Sequence, residues 1–412
     1  MSRERETQVS NETVAATPRR SGLAIGVCFL IAALEGYDIQ AFGVAAPKFV
    51  PQLGLDPAQM GWAGSAAMIG LVAAAFVGGL LADKLGRKPV LIASVLIFGV
   101  GSIWTSLIHD YNSLLAARFV TGVGFGGALP NLIAMAAELS SPARRGATTS
   151  AMFCGMPAGG TAVALFAKLA GANLEWRSIF MAGGVLPLII VPVIIYLLPE
   201  TRPPQEAASE RRVVKGLFDE RRAAPTLLLW VANFLTLVVL YLLLNWLPTL
   251  VVAKGYGPAD GASASLVFNG MGIAGALTLG FIVDRVGYRW SLLVTYLALA
   301  ASLAAMAAAA QISALLAMAA AAGFLVHGGL YSLYGVPPRL YSKQFRATGA
   351  GAAVGVGRFG SIVGPLLAGQ LRSAGWSASH VFGALLPVIV VAGASVLALT
   401  FLARLSDDGR SS

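Results

Sequence analysis

The sequence predicts an all-α membrane protein with twelve transmembrane helices, and three observations support this fold class. Of the 412 residues, 57% are hydrophobic and only 12% are charged, whereas soluble domains carry roughly 25% charged residues. Apolar runs of about 20 residues, the length that a helix needs to cross a bilayer, recur along the chain. These runs are continuously apolar rather than alternating, which excludes a β-barrel.

Polar loops separate the twelve apolar runs. The polar, basic stretch 1–21 precedes the first run, and a cleaved signal peptide is one alternative there. The run that follows is long and contains Glu35 and Asp38, so we expect a retained first span. The predicted spans are 22–46, 59–82, 89–108, 113–138, 146–171, 176–198, 225–253, 261–284, 290–310, 313–340, 346–373 and 378–404.

The net charge of +10 would suit a nucleic-acid partner, but the positions of the charges favour another explanation. If the N-terminus is cytoplasmic, 22 of the 29 Lys and Arg residues lie on the cytoplasmic side and 5 on the opposite side. Arg118 and Arg358 lie inside spans. This bias follows the positive-inside rule. We therefore expect both termini in the cytoplasm, a place in the cell inner membrane, and no nucleic-acid partner.

The chain consists of two related halves. The segment "GLLADKLGRK" (Gly79–Lys88) recurs as "GFIVDRVGYR" (Gly280–Arg289), 201 residues later. The same offset pairs several further residues in loops and helices, which indicates duplication. Two parallel repeats with a binding site at their interface are a transporter design. The predicted domains are a tail 1–21, a six-helix bundle 22–198, a cytoplasmic linker 199–224, a second six-helix bundle 225–404 and a tail 405–412.

The repeated loop predicts a gate. An acid near the cytoplasmic end of helix 2 can pair with a basic residue or with the N-terminus of a neighbouring helix, and glycines permit a tight turn. A plain solvated turn is the alternative, but two copies in register favour a latch that closes one access state. The gating residues are Gly79, Asp83, Gly86, Arg87 and Lys88, with Asp284 and Arg285 in the second copy.

Two carboxylates in the first span pose the central question. Glu35 and Asp38 are three residues apart, on one face of a helix, and Glu35 lies near the middle of the membrane. A carboxylate there costs about 2.5 kcal/mol or more unless it is protonated, paired or in a water-filled cavity. The pair therefore predicts a proton-coupling site, with a permanent ion pair to an arginine as the alternative.

Two membrane arginines can meet these acids. Arg358 lies near the middle of helix 11, and its planar fork suits a substrate carboxylate; a purely structural ion pair is the alternative. For Arg118 on helix 4 the preference is reversed. We expect it to pair with Asp38 or Glu35, and direct contact with substrate is the alternative.

Aromatic and hydrogen-bonding side chains at similar depth complete the predicted substrate site. Aromatic rings with a few polar groups suit a phenyl-bearing anion, although each ring alone can serve packing or an interface belt. His327 recognises a substrate hydroxyl or relays a proton, unless it is a hydrogen-bonded core residue. Asn131 lines the cavity or bridges helices. The remaining candidates are Asn245 and Trp246, before Pro248 where we expect helix 7 to loosen, with Tyr331 and Tyr334.

The same motifs resemble a known family. "GLLADKLGRK" and "ARFVTGVGFGGALPN" (Ala117–Asn131) resemble the signature loop and helix-4 motif of the major facilitator superfamily. "EGYD" (Glu35–Asp38) resembles the acidic motif of the aromatic acid:proton symporter family, which commonly has Asp in place of Glu35. "FRATGAGAAVGVGRFGSIVGPLLAG" (Phe345–Gly369) resembles that family's eleventh helix. The resemblance implies the major facilitator fold and import of aromatic acids with protons.

The sequence thus predicts a secondary transporter, not an enzyme. It would import a small aromatic carboxylate with protons by alternating access, as a monomer in the lipid bilayer, without cofactor or metal. Export of amphipathic compounds and a non-transporting aromatic-acid sensor are the alternatives. "GVGFGG" (Gly122–Gly127) lies inside an apolar span and lacks the strand that a nucleotide loop needs. Cys28 and Cys154 lie in apolar runs, as core residues do.

Overall fold

The computed structural model describes residues 18–141, 148, 151–171, 173–201, 217–218, 222–342 and 345–403. Within these residues the regular structure is helical, and twelve helices are long and apolar enough to cross a membrane, which confirms the predicted fold class. Residues 1–17 and 405–412 of the predicted tails, most of the linker, and the loop cations Arg144, Arg145 and Lys343 lie outside the described residues, while 18–21 of the predicted tail form the start of the first helix. The helices are α1 Pro18–Gln52, α2 Pro57–Leu85, α3 Arg87–Leu107, α4 Tyr111–Glu138, α5 Gly155–Ala170, α6 Trp176–Leu197, α7 Ala223–Ala253, α8 Pro258–Val286, α9 Tyr288–Ala308, α10 Ile312–Tyr334, α11 Arg346–Ser373 and α12 Ala378–Leu402.

Local sequence signals explain where several helices begin and end. Asp56 caps α2 by accepting a hydrogen bond from the backbone N–H of Gln59, whose side chain bonds back to Asp56. This is a capping box, which satisfies two free backbone donors. Gly86 and Gly287 separate α2 from α3 and α8 from α9 with φ of +96° and +93°. Left-handed φ favours glycine, so both copies of the repeated loop turn in the same way.

The structure refines one predicted span and overturns one expectation about helix geometry. The candidate membrane span Ile312–Leu340 agrees with the predicted 313–340, but its first helix, α10, ends at Tyr334, and a separate short helix follows at Pro337–Leu340. Proline lacks the N–H that would continue a helix, and its ring disfavours a helical residue before it. In contrast, α7 continues through Pro248 to Ala253 without the expected loosening.

The duplication is visible in the packing of helix pairs. Helix α4 lies so close to α2 that a Cβ on Gly122 would collide with the carbonyl oxygen of Ala67. Helix α10 contacts α8 in the same way, because a Cβ on Gly323 would collide with the carbonyl oxygen of Phe268. Both members of the second contact lie 201 residues after those of the first. Small residues at such positions let membrane helices approach closely.

The two sets of six helices meet through α2 with α11, α5 with α8, and α1 with α7. We call the end at which α1 begins the basic end, since Lys84, Arg87 and Lys88 lie there, and the other the opposite end. At the opposite end the contacts are close. Between the halves, the Ser65 hydroxyl donates to the carbonyl of Ile362 at 2.7 Å. Within the second half, Trp246 Nε1 donates to the carbonyl of Pro365 at 3.1 Å.

Candidate functional site

A large cavity lies between the two sets of helices, in the half of the bundle toward the basic end. Its volume is about 790 Å³, within the range of pockets that hold small organic ligands. Most of its wall is apolar and comes from α2, α4 and α11, while α10 and Arg358 supply polar groups. Residues representative of the wall are Leu71, Phe125, Leu129, Ile133 and Val354.

A second, much smaller chamber of about 40 Å³ continues deeper into the bundle. Phe153, Tyr331, Tyr334 and Arg358 line both spaces, so these side chains form the boundary between them. The Phe153 and Tyr331 rings stack with centroids 5.4 Å apart, and the Tyr331 hydroxyl donates to the Phe153 carbonyl at 3.2 Å. This aromatic boundary joins the first half of the chain to the second.

Arg358 lies at the boundary with its guanidinium partly engaged. Its Nη1 donates to the hydroxyl of Tyr241 at 3.0 Å. Arg358 and Glu35 attract each other electrostatically without forming a direct ion pair. A guanidinium carries five donors in a planar fork, so the fork retains donors for a carboxylate that enters the cavity.

The two acids of α1 have different surroundings, although the sequence predicts that they share a face. Both are fully buried. Asp38 accepts a hydrogen bond from Arg118 Nη1 at 2.8 Å, a buried ion pair within the first half. Neither carboxyl oxygen of Glu35 has a hydrogen-bond partner among the described residues, and its charged neighbour, Arg358, lies in the second half. Each acid is therefore associated with its own arginine.

Aromatic rings enclose the Asp38–Arg118 pair. The Arg118 guanidinium carbon lies 5.6 Å from the Phe42 ring centroid and 5.8 Å from that of Phe180, close enough for cation–π attraction. Asp38 Oδ2 also comes within 3.3 Å of the position that a Cβ on Gly183 would take. Arg118 does not line either cavity described above.

His327 lines the small chamber and is buried. Its Nδ1 lies 2.9 Å from the carbonyl oxygen of Gly323, one turn earlier in α10. Because a carbonyl only accepts hydrogen bonds, Nδ1 carries the proton in this contact and Nε2 is left for another partner. Gly272 of α8 provides the space for the ring, since a Cβ there would lie 2.6 Å from Nδ1.

Three predicted substrate residues do not line either cavity in this conformation. The Asn131 amide donates to the carbonyl of Gly127 at 2.8 Å. The Asn245 amide donates to the carbonyl of Tyr241 at 2.9 Å. Trp246 is buried in the closed opposite end. The structure thus brings together Arg358, His327, Tyr331 and Tyr334 and leaves Asn131, Asn245 and Trp246 apart from them.

The gating residues lie at the basic end. Asp83 is exposed, while Arg87 pairs with Glu138 at the end of α4. Lys88 Nζ donates to the carbonyl of Ile195 at 2.6 Å. These contacts stay within the first half of the chain.

The second copy of the loop also makes its contacts within one half. Asp284 accepts from Arg339 at 3.4 Å in an exposed pair, and Arg285 stacks on Phe281 at 4.0 Å. Gly79 faces open space.

Sequence reasoning did not select three side chains that line the small chamber: Gln40, Tyr241 and Phe153. Gln40 follows Glu35 by five residues, so its polarity in an apolar span was an available signal. Tyr241 lies in the apolar run "LTLVVLYLLLNWLP", where nothing local distinguishes it from packing. Among the described residues, no group of three or more His, Cys, Asp and Glu could hold a metal ion.

Comparisons with known proteins agree with this architecture. Residues 28–278 match the Major Facilitator Superfamily. The chain is 42% identical to the 3-(3-hydroxy-phenyl)propionate transporter of Escherichia coli K12 over 95% of its own length and 97% of the relative's. It is 33% identical to the 4-hydroxybenzoate transporter of Pseudomonas aeruginosa, with 90% of each chain covered. The protein belongs to the major facilitator superfamily, a family of transporters rather than enzymes.

A solved structure shares the fold at low identity. It is the bacterial homologue of the human lysosomal transporter Spinster, in an inward-facing, unoccupied conformation. The TM-score is 0.72 at 16% identity, and the match covers 96% of this chain and 99% of that one. The similarity confirms the twelve-helix major facilitator fold.

Proposed function

We propose that this protein is a proton-coupled secondary transporter that imports an aromatic carboxylate across the bacterial inner membrane by alternating access. The substrate class is 3-(3-hydroxyphenyl)propionate or a related hydroxylated aromatic acid. The relatives named for transport of such acids support this class. The observation that carries the proposal is Arg358, a half-buried cation at the inner tip of an apolar cavity large enough for such an acid.

The polar and apolar parts of the cavity match the two parts of the substrate. The fork of Arg358 receives the carboxylate, since charge-assisted hydrogen bonds are the strongest available in a low-dielectric site. Phe153, Tyr331 and Tyr334 pack against the phenyl ring. His327 and Gln40, deeper in the chamber, supply hydrogen bonds for a ring hydroxyl. The chamber holds only about 40 Å³, so the aromatic boundary moves when substrate enters.

Proton coupling follows from the position of Glu35. This carboxyl lies beside Arg358 without a hydrogen-bond partner among the described groups. It is therefore available to take up a proton when a substrate carboxylate takes over the guanidinium. The Asp38–Arg118 pair remains closed and holds α1 against α4.

The conformation represents one access state. The cavity extends toward the basic end, which the positive-inside rule places in the cytoplasm together with both termini. The opposite end is closed by α1–α7 and α2–α11 contacts. In this state the gate loop is unlatched, because Asp83 is exposed and its neighbour Arg87 bonds within its own half. The latch closes when the cavity faces the other side. One chain supplies the whole site, so the monomer is the working unit.

Uptake into proteoliposomes tests the proposal. With an inward proton gradient, labelled 3-(3-hydroxyphenyl)propionate accumulates, and hydroxylated phenylpropionates, phenylacetates and benzoates compete. The amide of the same acid is the matched control, because it keeps the ring and loses the anion. Competition by cationic dyes instead of by acids would favour the exporter of amphipathic compounds. Binding of the acid without flux would favour the sensor.

A further inference from the structure

The arrangement of charges in the membrane core points to a transport stoichiometry. We infer that one proton, carried by Glu35, accompanies each monoanionic carboxylate, so that transport is electroneutral and insensitive to membrane potential. This inference rests on the proposed function and specifies its energy source. It assigns the two acids of α1 different roles, in contrast to the coupled pair that the sequence suggested.

The first support is the small number of groups in the core that could bind a proton. Among the Asp and Glu residues that the structure describes, Glu35 and Asp38 alone lie away from loops and helix ends. Arg358 on α11 and Tyr241 on α7 interact electrostatically with Glu35. Tyr331 and Tyr334 on α10 interact in turn with that arginine. On α1 itself, Asp38 lies one turn after Glu35 and is paired with Arg118 of α4.

The second support is that Asp38 already forms an ion pair with Arg118. Its Oδ1 is 2.8 Å from Arg118 Nη1, and the two side chains are 0% and 1% exposed. Protonating Asp38 would leave the Arg118 cation buried without a counter-charge, which is strongly unfavourable. Glu35 is not bound in this way, since both of its oxygens lack a partner among the described residues. Protonating Glu35 therefore breaks no direct ion pair, in contrast to protonating Asp38.

The charge of the site then determines which forms can close. In the empty protein, ionised Glu35 offsets Arg358 and the centre is neutral. With substrate, the bound carboxylate offsets Arg358 and the proton neutralises Glu35, so the centre is neutral again. Substrate without a proton leaves a net charge of −1, and a proton without substrate leaves +1. Occluding a net charge in a low-dielectric core is costly. The protein in these two forms therefore does not change from one access state to the other.

His327 is the other group in the core that could carry a proton. Its Nδ1 faces the Gly323 carbonyl, and its ring packs edge-on against Phe268 with centroids 5.4 Å apart. No described acid contacts the ring to stabilise an added charge. A second proton on His327 would make the loaded centre +1, contrary to the inference.

Steady-state accumulation in proteoliposomes measures the stoichiometry. At a fixed pH gradient, a potassium diffusion potential set with valinomycin is varied between zero and 100 mV, inside negative. We expect the accumulation ratio of the acid to stay constant, and to rise about tenfold for each unit of pH difference. If two protons accompany the substrate, 100 mV raises accumulation about 50-fold, and each pH unit raises it about 100-fold. That result overturns the inference while leaving proton-coupled transport intact.

The outcomes separate this inference from the function on which it rests. If a pH gradient produces no accumulation of the acid at any potential, the proposed function fails, and the stoichiometry fails with it. If the acid accumulates but potential changes the ratio, the function stands and only the stoichiometry is refuted.

Glu35→Gln tests the assignment to this residue. The loaded centre keeps its neutrality in the variant, whereas the empty centre acquires the uncompensated charge of Arg358. We expect exchange of labelled for unlabelled acid to persist and net uptake to slow by about 100-fold. Equal loss of exchange and net uptake in a folded, substrate-binding variant contradicts the assignment. The double variant Asp38→Asn/Arg118→Gln removes both charges of the other pair. We expect its remaining transport to keep one proton per acid. A changed proton-to-acid ratio would also refute the assignment of the proton to Glu35.

Discussion

Breaking the Asp38–Arg118 ion pair from one side is the sharpest test of how the core is held together. Asp38→Asn keeps the shape of the side chain and removes its charge. Arg118, which is 1% exposed, is then a buried cation without its counter-charge. Its Nε has no hydrogen-bond partner among the described groups. Removing one member of a buried pair costs about 3–5 kcal/mol, and we expect a loss of this size.

The double variant Asp38→Asn/Arg118→Gln separates charge from packing. With both charges gone, the desolvation cost of the unpaired cation disappears. We expect the double variant to regain about 2 kcal/mol relative to Asp38→Asn, a large part of what an unpaired buried charge costs. Glu35→Gln is the matched control three residues earlier on the same helix. Arg358, which Glu35 offsets, lines the open cavity and keeps its bond to Tyr241, so the effect of Glu35→Gln on unfolding should stay within about 1 kcal/mol.

Unfolding free energies come from titrating the purified protein from mild detergent into SDS and following tryptophan fluorescence. If Asp38→Asn is as stable as the wild type, the ion pair contributes little and water reaches Arg118. If Asp38→Asn and Glu35→Gln lose equal stability, the two acids are not distinguished by their surroundings, and the division of roles between them is wrong.

Three further outcomes are expected. Arg358→Lys keeps the charge but loses the fork, so the KM for the acid rises about 10-fold to 150-fold, the equivalent of one charged hydrogen bond; unchanged uptake kinetics would contradict carboxylate binding there. Gly122→Ala forces α4 away from the carbonyl of Ala67 and lowers the free energy of unfolding by about 1–3 kcal/mol. Gly79→Ala, whose Cβ would meet open space, leaves that free energy unchanged or raises it by up to about 1 kcal/mol. Equal effects of the two variants in SDS titration would refute the close contact. Hydrogen bonds from the side chain and then the backbone of Ser113 lower the pKa of Asp110, so its stabilisation of α4 is present at neutral pH and is lost as pH falls through that pKa; the stability difference between wild type and Asp110→Ala should shrink in acid.

The fold was predictable because its signals are physical requirements that act along the chain. A span needs about 20 apolar residues, and the constant offset of 201 residues required a duplicated packing scheme. The structure shows that scheme in the contacts of Gly122 with Ala67 and of Gly323 with Phe268. The interruption of this span after Tyr334 was not predicted, because hydropathy continues through it, whereas Pro337 interrupts the helix for a reason of backbone geometry.

The pairing within the site was not predictable, because it depends on the rotation of one helix against several others. Three residues along a helix correspond to a turn of about 300°, so Glu35 and Asp38 point about 60° apart. That difference directs Asp38 to Arg118 in the first half and Glu35 to Arg358 in the second. Tyr241 was missed for a similar reason. Its bond to Arg358 joins residues that are 117 positions apart.

His327 shows how the two halves came to differ at equivalent positions. In the first half, Gly126 of α4 lies against Leu71 of α2. In the second half the sizes are exchanged, since His327 occupies the position of Gly126, and Gly272 that of Leu71. The glycine on α8 therefore creates the space in which α10 places an imidazole next to the substrate chamber.

Substituting Gly272 by a larger residue tests whether the imidazole of His327 binds the substrate. In Gly272→Ala the new Cβ would lie 2.6 Å from His327 Nδ1, so the ring must leave its contact with the Gly323 carbonyl, at a cost of about 1–3 kcal/mol. If His327 binds a ring hydroxyl, the KM for the hydroxylated acid rises about tenfold relative to that for the unhydroxylated acid, the value of one hydrogen bond. Gly270→Ala, on the same helix with nothing within 4 Å, should leave both KM values unchanged. An equal rise for the two acids in Gly272→Ala would show that the histidine serves packing alone.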